Sequence, residues 1–188
     1  RVILVRYTEI HLKGLNRPYF EQKLVDNMRS ALRGIPSRID REHGRIYVMD
    51  IPDVQFDEAI SRLTRVFGIA ALSRAAVCEK DIEDIAATAL EYLKEPLEDA
   101  KTFKVEAKRS DKKFPMKSPE ICREMGGRIL RRFHHLKVDV HNPDITVTVE
   151  VRDRYAFVRG NNLHGAGGMP TGTGGRAAVL ISGGIDSP

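Results

Sequence analysis

The chain has 188 residues, of which 41% are hydrophobic and 30% charged, and its formal net charge is +5. These proportions are ordinary for a soluble globular protein, and the sequence contains no apolar run approaching the roughly 18 residues that cross a bilayer. No secretory signal is visible in the given residues, which begin at Arg1 without a methionine, so a segment upstream of Arg1 stays open.

The first segments alternate between strand and helix patterns. Arg1–Tyr7 is rich in β-forming residues and predicts a strand. Asn16 is a candidate N-cap, and Pro18 in the next turn favours a helix start. Gly34 is placed to end this helix in a left-handed conformation. The apolar residues at four-residue spacing, which predict one buried face, are Phe20, Leu24, Met28 and Leu32.

Two short β-like runs follow, at residues 38–41 and 45–50, with His43-Gly44 predicted as the turn between them. A second amphipathic helix is predicted from Asp57 to Phe67, ending at Gly68, and a strand over residues 69–77. The inward residues predicted for that helix are Ile60, Leu63, Val66 and Phe67. The order β-α-β-β-α-β predicts a small ferredoxin-like sheet.

An acidic helix is predicted from residue 81, and the charge reversal places the domain boundary near residues 76–80. A strand at 102–108, a basic loop at 109–117 and a helix with Ser118 as N-cap follow. Residues 145–151 alternate strictly between apolar and polar, which predicts a strand with one buried face, and 155–159 is its partner. Residues 81–164 therefore form a second α+β domain.

Positive charge is concentrated between residues 101 and 137, which hold 12 Lys/Arg against 4 Asp/Glu. On the predicted helix at 118–133, three arginines share one arc beside the apolar face, and Glu124 is expected to pair with Arg128. Cations bind phosphates, and Phe114 in the loop could stack on an unpaired base. A solvated face or a protein-binding patch remains the alternative. The candidate RNA-binding residues are Lys108, Arg109, Lys112, Lys113, Lys117, Arg128, Arg131 and Arg132.

Gly126-Gly127 interrupts this helix at a cost of roughly 1 kcal/mol per glycine relative to alanine. That cost indicates close approach of another backbone, and we favour a neighbouring strand over a nucleic-acid strand. The cysteines Cys78 and Cys122 lack C-x-x-C spacing, so both are expected to be small buried residues in a reducing cytoplasm. The histidines show no metal-ligand spacing, and no metal site is predicted.

A glycine-rich stretch, Gly165–Gly175, leads into an apolar strand at 177–181 and the sequence S-G-G-I-D-S. Two glycines after a strand bring backbone N–H groups against phosphate oxygens, and Asp186 could position Mg²⁺. A bare turn is the alternative. The candidate ATP-binding residues are Leu180, Ile181, Ser182, Gly183, Gly184, Asp186 and Ser187.

S-G-G-x-D-S is the pattern of the PP-loop ATP pyrophosphatases. Together with Y-T-E-I-H-L-K-G-L-N-R at Tyr7–Arg17 and the G-x-G-G-x-P-x-G-x-G-G connector, it makes the whole chain resemble the tRNA 4-thiouridine synthetase (ThiI) family. The resemblance implies a ferredoxin-like domain at 1–75, a THUMP RNA-binding domain at 76–164, a connector at 165–176 and the start of a truncated PP-loop α/β domain at 177–188.

The resemblance also implies a reaction. The THUMP domain would grip the acceptor end of tRNA, ATP with Mg²⁺ would adenylate uridine 8 at O4, and a persulfide, supplied by a donor such as a cysteine desulfurase, would deliver sulfur. The family's sulfur-carrying cysteine matches neither Cys78 nor Cys122, and a role in thiamine synthesis is not inferable from these residues. We expect this chain alone to bind RNA without catalysis. The alternatives are a PP-loop ligase acting on a small molecule and a stand-alone RNA-binding module.

Overall fold

Nine strands and five α-helices lie in residues 1–42, 44–176 and 178, which are the residues described by a computed structural model. None of the helices in these ranges is long and apolar enough to span a membrane. The strands are β1 (Val2–Arg6), β2 (Arg38–Glu42), β3 (Arg45–Met49), β4 (Ala71–Cys78), β5 (Thr102–Arg109), β6 (Lys137–Val138), β7 (Ile145–Val151), β8 (Ala156–Arg159) and β9 (Leu163–His164). The helices are α1 (Arg17–Ala31), α2 (Phe56–Leu63), α3 (Ile82–Tyr92), α4 (Lys94–Asp99) and α5 (Ser118–Arg132).

The first half has the predicted β-α-β-β-α-β order, and its strands lie in the order β2-β3-β1-β4, all antiparallel. Helix α1 buries Leu24 and Met28 against the sheet, and the chain turns after it through Gly34 at φ +86°. Ile3 and Val5 of β1 and Ile46 and Val48 of β3 pack under both helices. The ferredoxin-like prediction is confirmed.

The prediction for the second helix was wrong at its carboxyl end. Helix α2 ends at Leu63, and Phe67, predicted to face inward, is 55% exposed. Val66 is buried as predicted, and Gly68 turns the chain at φ +100°. Once the backbone leaves helical geometry, the helical period no longer determines which side a residue faces. The predicted turn at His43-Gly44 is described only at Gly44, which has φ +77°, because His43 lies outside the described residues.

The second half places α3 and α5 on one face of β5, β7 and β8, where β5 and β7 are parallel and β7 and β8 antiparallel. Helix α5 begins at Ser118, so Lys117, and not Ser118 as predicted, is its N-cap. The Lys117 backbone N–H donates to Glu120 Oε2 at 2.6 Å, which satisfies a donor at the helix start. The carboxylate of Glu120, three residues into the helix, thus caps the N–H of the N-cap residue.

Strand β4 joins the two halves into one sheet with the order β2-β3-β1-β4-β8-β7-β5-β6, and β9 pairs with β4. On β4, Leu72 packs in the core under α1 and α2, and Cys78 packs in the core under α3 and α5. Residues an even number apart on a strand share a face, so the helices of both halves lie on the same side of the sheet. The other side carries no helix within the described residues.

The helix-free face is strongly curved. Arg45 on β3 lies 3.3 Å from Glu150 on β7, four strand positions away. In a flat sheet four positions span about 19 Å, so the sheet must curl to bring them together. The curl buries Thr148 and Glu150 to 1% exposure each. The prediction that β7 has a single buried face was therefore wrong, because the sheet itself covers the second one.

The glycine-rich connector returns to the first half of the fold. The Gly165 N–H donates to Ala70 O at 3.1 Å, the Gly167 N–H to Ile69 O at 2.8 Å, and the Gly68 N–H to Gly167 O at 2.7 Å. A Cβ on Gly165 would lie 2.2 Å from Ile69 O, so only glycine fits at that position. The described part of the connector is thus held against the sheet by backbone hydrogen bonds.

Candidate nucleic-acid interface

Helix α5 is anchored by one apolar face and presents its cations on another. Ile121, Met125, Ile129 and the following Phe133 are all buried in the second core, as the period predicted. Each such side chain contributes about 1.5–3 kcal/mol through burial. The anchored face fixes the direction of the neighbouring arginines, and Arg131 and Arg132 are exposed.

Arg128 differs from these two arginines. Its Nε donates to Glu124 Oε1 at 2.7 Å, the predicted pair, and its Nη1 donates to Glu83 Oε2 at 2.7 Å while its Nη2 contacts Glu83 Oε1. These bonds to Glu83 and Glu124 raise the pKa of Arg128. Arg128 therefore clamps α5 to α3, and less of its charge is available to a ligand.

The loop before α5 divides its basic residues between two roles. Arg109 Nη1 donates to Phe114 O at 3.0 Å and to Met116 O at 3.4 Å, so this guanidinium shapes the loop from within. Asp111 accepts from Lys80 Nζ at 2.6 Å and from the Lys113 backbone N–H at 2.8 Å, and these bonds lower the pKa of Asp111. The basic residues of this loop whose side chains are exposed to solvent are Lys112, Lys113 and Lys117.

Two predicted members of this surface lie elsewhere. Phe114 is 5% exposed and packs in the second core, so the prediction that it could stack on a base was wrong. Lys108 faces the helix-free side of the sheet, since its ladder partner is Glu150 and alternate residues of β5 point to opposite faces. Lys108 therefore lies on the opposite face of the sheet from α5 and its arginines.

The glycine pair borders an open groove. A Cβ on Gly126 would meet no atom within 4 Å, and one on Gly127 would meet only Arg131 Nη2 at 3.9 Å. The favoured prediction, packing against a neighbouring strand, was therefore wrong. The groove has a volume of about 360 Å³ and runs between β5 and α5, with the exposed Val138 and Val140 on its rim.

Because these glycines are sterically free, replacing both by alanine is expected to stabilise the protein. The expected gain is about 1–2 kcal/mol in the free energy of unfolding for Gly126→Ala/Gly127→Ala, since alanine loses less backbone entropy in a helix. Urea unfolding of both proteins measures it. A loss of stability would show that the groove is more crowded than the described contacts indicate.

The two cysteines are both free, and only one fits its prediction fully. Cys78 is buried, and burial raises its pKa to about 12. Cys122 is half-buried at the edge of the glycine groove, and burial raises the pKa of its thiol as well. The predicted ATP-binding residues Leu180–Ser187 lie outside the described residues.

Two family models match the chain: the ThiI ferredoxin-like domain at residues 2–73 and the THUMP domain at residues 79–159. A protein named "Probable tRNA sulfurtransferase" from Caldanaerobacter subterraneus subsp. tengcongensis is 47% identical over 188 residues, covering 100% of this chain and 48% of the relative. A relative of the same name from Alkaliphilus metalliredigens is 47% identical over 190 residues, with the same coverage of each chain. The chain spans about half the length of the curated relatives it matches.

The solved structures agree with the sequence relatives. A 4-thiouridine synthetase in complex with RNA and bound ATP superimposes with a TM-score of 0.84 at 39% identity, covering 100% of this chain and 47% of that one. A Pyrococcus horikoshii protein superimposes with a TM-score of 0.82 at 36% identity, covering 96% of this chain and 60% of that one. The chain therefore belongs to the tRNA 4-thiouridine synthetase (ThiI, tRNA sulfurtransferase) family, of which it carries the ferredoxin-like and THUMP domains.

Proposed function

We propose that this chain binds tRNA through the exposed cations of α5 and of the loop before it. The observation that carries the proposal is their exposure: α5 and the loop before it present five solvent-exposed basic side chains, and none of the five has an acidic partner within 4 Å among the described residues. Unpaired surface cations are the groups that neutralise RNA phosphates. These residues are Lys112, Lys113, Lys117, Arg131 and Arg132.

We further propose that the whole protein is a tRNA sulfurtransferase. Its relatives carry that name, and the S-G-G-I-D-S loop suits ATP binding through backbone N–H groups and the hydroxyls of Ser182 and Ser187. Mg²⁺ would neutralise phosphate charge there, with Asp186 as the candidate ligand. Adenylation of uridine 8 at O4 makes that oxygen part of a good leaving group, AMP. The outer sulfur of a persulfide can attack C4 and displace AMP, and a second thiol would then cleave the resulting disulfide and leave the sulfur on C4.

The proposed domains divide this work. Residues 1–75 and 76–164 bind RNA as one unit, because β4 pairs with strands of both. Residues 165–176 lead toward the PP-loop domain that starts at 177. The side-chain amide of Asn27 on α1 donates to Thr171 O at 3.1 Å. This hydrogen bond supports a connector that is held against α1. We place this activity in the cytoplasm, where free cysteines such as Cys78 persist.

The salt dependence of tRNA binding tests the first proposal. If about 4–6 phosphates are neutralised, the logarithm of the binding constant should fall against the logarithm of salt concentration with a slope of roughly −4 to −5. The slope is measured by fluorescence anisotropy of a labelled tRNA transcript titrated with the protein at KCl concentrations from about 50 to about 400 mM. A flat dependence, or no binding at the lowest salt, would refute the proposal.

A further inference from the structure

A second group of cations lies on the helix-free face, away from the α5 surface. Arg6 of β1, Lys108 of β5 and Arg159 of β8 together line a cavity of about 190 Å³. We name these three residues the inner cations. Lys108 lies on the helix-free face of β5. The curl of the sheet brings Arg6, from the first half of the fold, close to Lys108.

Negative charge near the inner cations is insufficient to balance them. Glu150 is the buried carboxylate of this face, and three guanidinium groups share it: Arg45 at 3.3 Å, Arg152 at 2.8 Å and Arg159 at 3.4 Å. Glu106, at the cavity wall, is engaged by Lys104 at 2.8 Å.

Arg6 and Lys108 have no acidic group within 4 Å among the described residues. The pKa of Lys108 is lowered, chiefly by burial; the negative charge of Glu150 opposes this shift, and the positive charges of Arg159, Arg45 and Arg6 add to it. The inner cations thus carry an excess of positive charge.

The cavity also contains an unused hydroxyl group. Thr148 is 1% exposed, and its Oγ1 has no hydrogen-bond partner among the described residues. Its ladder partner is Arg159, so both side chains lie on the same face. A buried hydroxyl without a partner is destabilising, and such groups in folded proteins usually have a ligand or a water. Asn162, whose Oδ1 accepts from Arg159 Nη1 at 2.8 Å, holds that guanidinium in place.

We propose that this cavity binds one phosphate group of the bound RNA, held by Arg6, Lys108 and Arg159 and accepting a hydrogen bond from the Thr148 hydroxyl. A tetrahedral oxyanion supplies the missing negative charge and the missing acceptor together. The cavity is smaller than the roughly 300 Å³ at which pockets begin to hold drug-sized ligands, so it suits a phosphate and not a whole nucleotide. The assignment to RNA rests on the proposed function.

Inorganic phosphate is the first probe, applied to the full chain. Phosphate at about ten times its dissociation constant should raise Tm by roughly 3–6 °C relative to chloride at equal ionic strength. Thr148→Val and Lys108→Gln should both lose this shift, and Thr148→Val should not lower Tm without phosphate, because it removes an unsatisfied buried hydroxyl. Lys94→Gln, an exposed lysine on α4, is the control with the same change in charge and should keep the shift.

The second arm identifies the source of the phosphate. Lys108→Gln should reduce the salt slope for tRNA by about 1 and weaken binding about fivefold, as expected for one lost phosphate contact. If Lys108→Gln loses the phosphate shift but binds tRNA as the native chain does, the site takes free phosphate, and the RNA assignment is overturned. If the native chain shows no phosphate shift, or if both variants keep it, the site itself is refuted.

These results separate the inference from the proposed function. Normal tRNA binding that depends on Arg131 and Arg132 but not on Lys108 would leave the proposed function intact and overturn the assignment of the inner site to an RNA phosphate. Failure of the native chain to bind tRNA would overturn the proposed function, and the phosphate shift would then decide the inner site alone.

Discussion

Replacing Glu150 by glutamine is expected to lower the free energy of unfolding by about 3–5 kcal/mol, the usual cost of leaving a buried charge cluster without its counterion. Glu150 and Arg159 are almost fully buried, with side-chain exposures of 1% and 4%. Glutamine keeps the shape but removes the charge that Arg45, Arg152 and Arg159 share. Urea unfolding in a buffer free of phosphate measures the loss.

The same variant changes the pH dependence of stability. Burial alone would raise the pKa of Glu150, but Arg45, Arg152 and Arg159 outweigh it, and the pKa is lowered. When the pKa of a carboxyl is lower in the folded than in the unfolded state, its ionised form stabilises the folded protein at pH values above the unfolded pKa. This stabilisation is lost as the pH falls from the unfolded pKa through the folded pKa. The native chain should therefore lose stability below about pH 4.5, near the unfolded value for glutamate, and the Glu150→Gln variant should lack that component.

Glu106→Gln is the matched control for both measurements. Glu106 lies on the same face, on the neighbouring strand β5, and its side chain is 39% exposed beside Lys104. Removing this exposed pair should change stability by no more than about 1 kcal/mol. A similar loss in both variants would show that burial of Glu150 has no special energetic role.

The double variant Arg131→Ala/Arg132→Ala should have the largest effect on tRNA binding. Both side chains are exposed on the anchored helix α5, and each is expected to contact one phosphate. We expect the salt slope to fall by about 2 and the affinity by at least about tenfold near physiological salt. The fold should persist, because neither residue belongs to the buried face. Anisotropy titrations over a salt series measure both quantities.

Two controls distinguish position from charge. Arg33→Ala/Arg65→Ala removes the same charge from exposed positions in the first half of the fold and should leave the slope nearly unchanged. Arg128→Ala breaks the bonds to Glu83 and Glu124, so it should alter stability more than tRNA affinity. Equal losses in all three variants would mean that binding responds to net charge and not to this surface.

Local patterns predicted much of the fold because they depend on neighbours along the chain. The period of α5 identified Ile121, Met125 and Ile129 as buried, and the i, i+4 spacing identified the Glu124–Arg128 pair. The same patterns failed at Phe67, where the helix had already ended, and at Phe114. Phe114 lies among basic residues of the loop in the sequence, but its side chain is buried in the core. The period of apolar residues predicts which side a residue faces only within the helix or strand that has that period.

By itself, the sequence determined the β-α-β-β-α-β order of the first half, the buried face of α5 and the concentration of positive charge after residue 100. Only the tertiary structure decided that β4 joins both halves in one sheet, that Lys108 and the α5 arginines lie on opposite sides, and that Glu150 is buried among three arginines. The physical reason is that period and charge are local properties. The curl of the sheet arises from pairings between strands distant in sequence, and it determines which polar faces become buried.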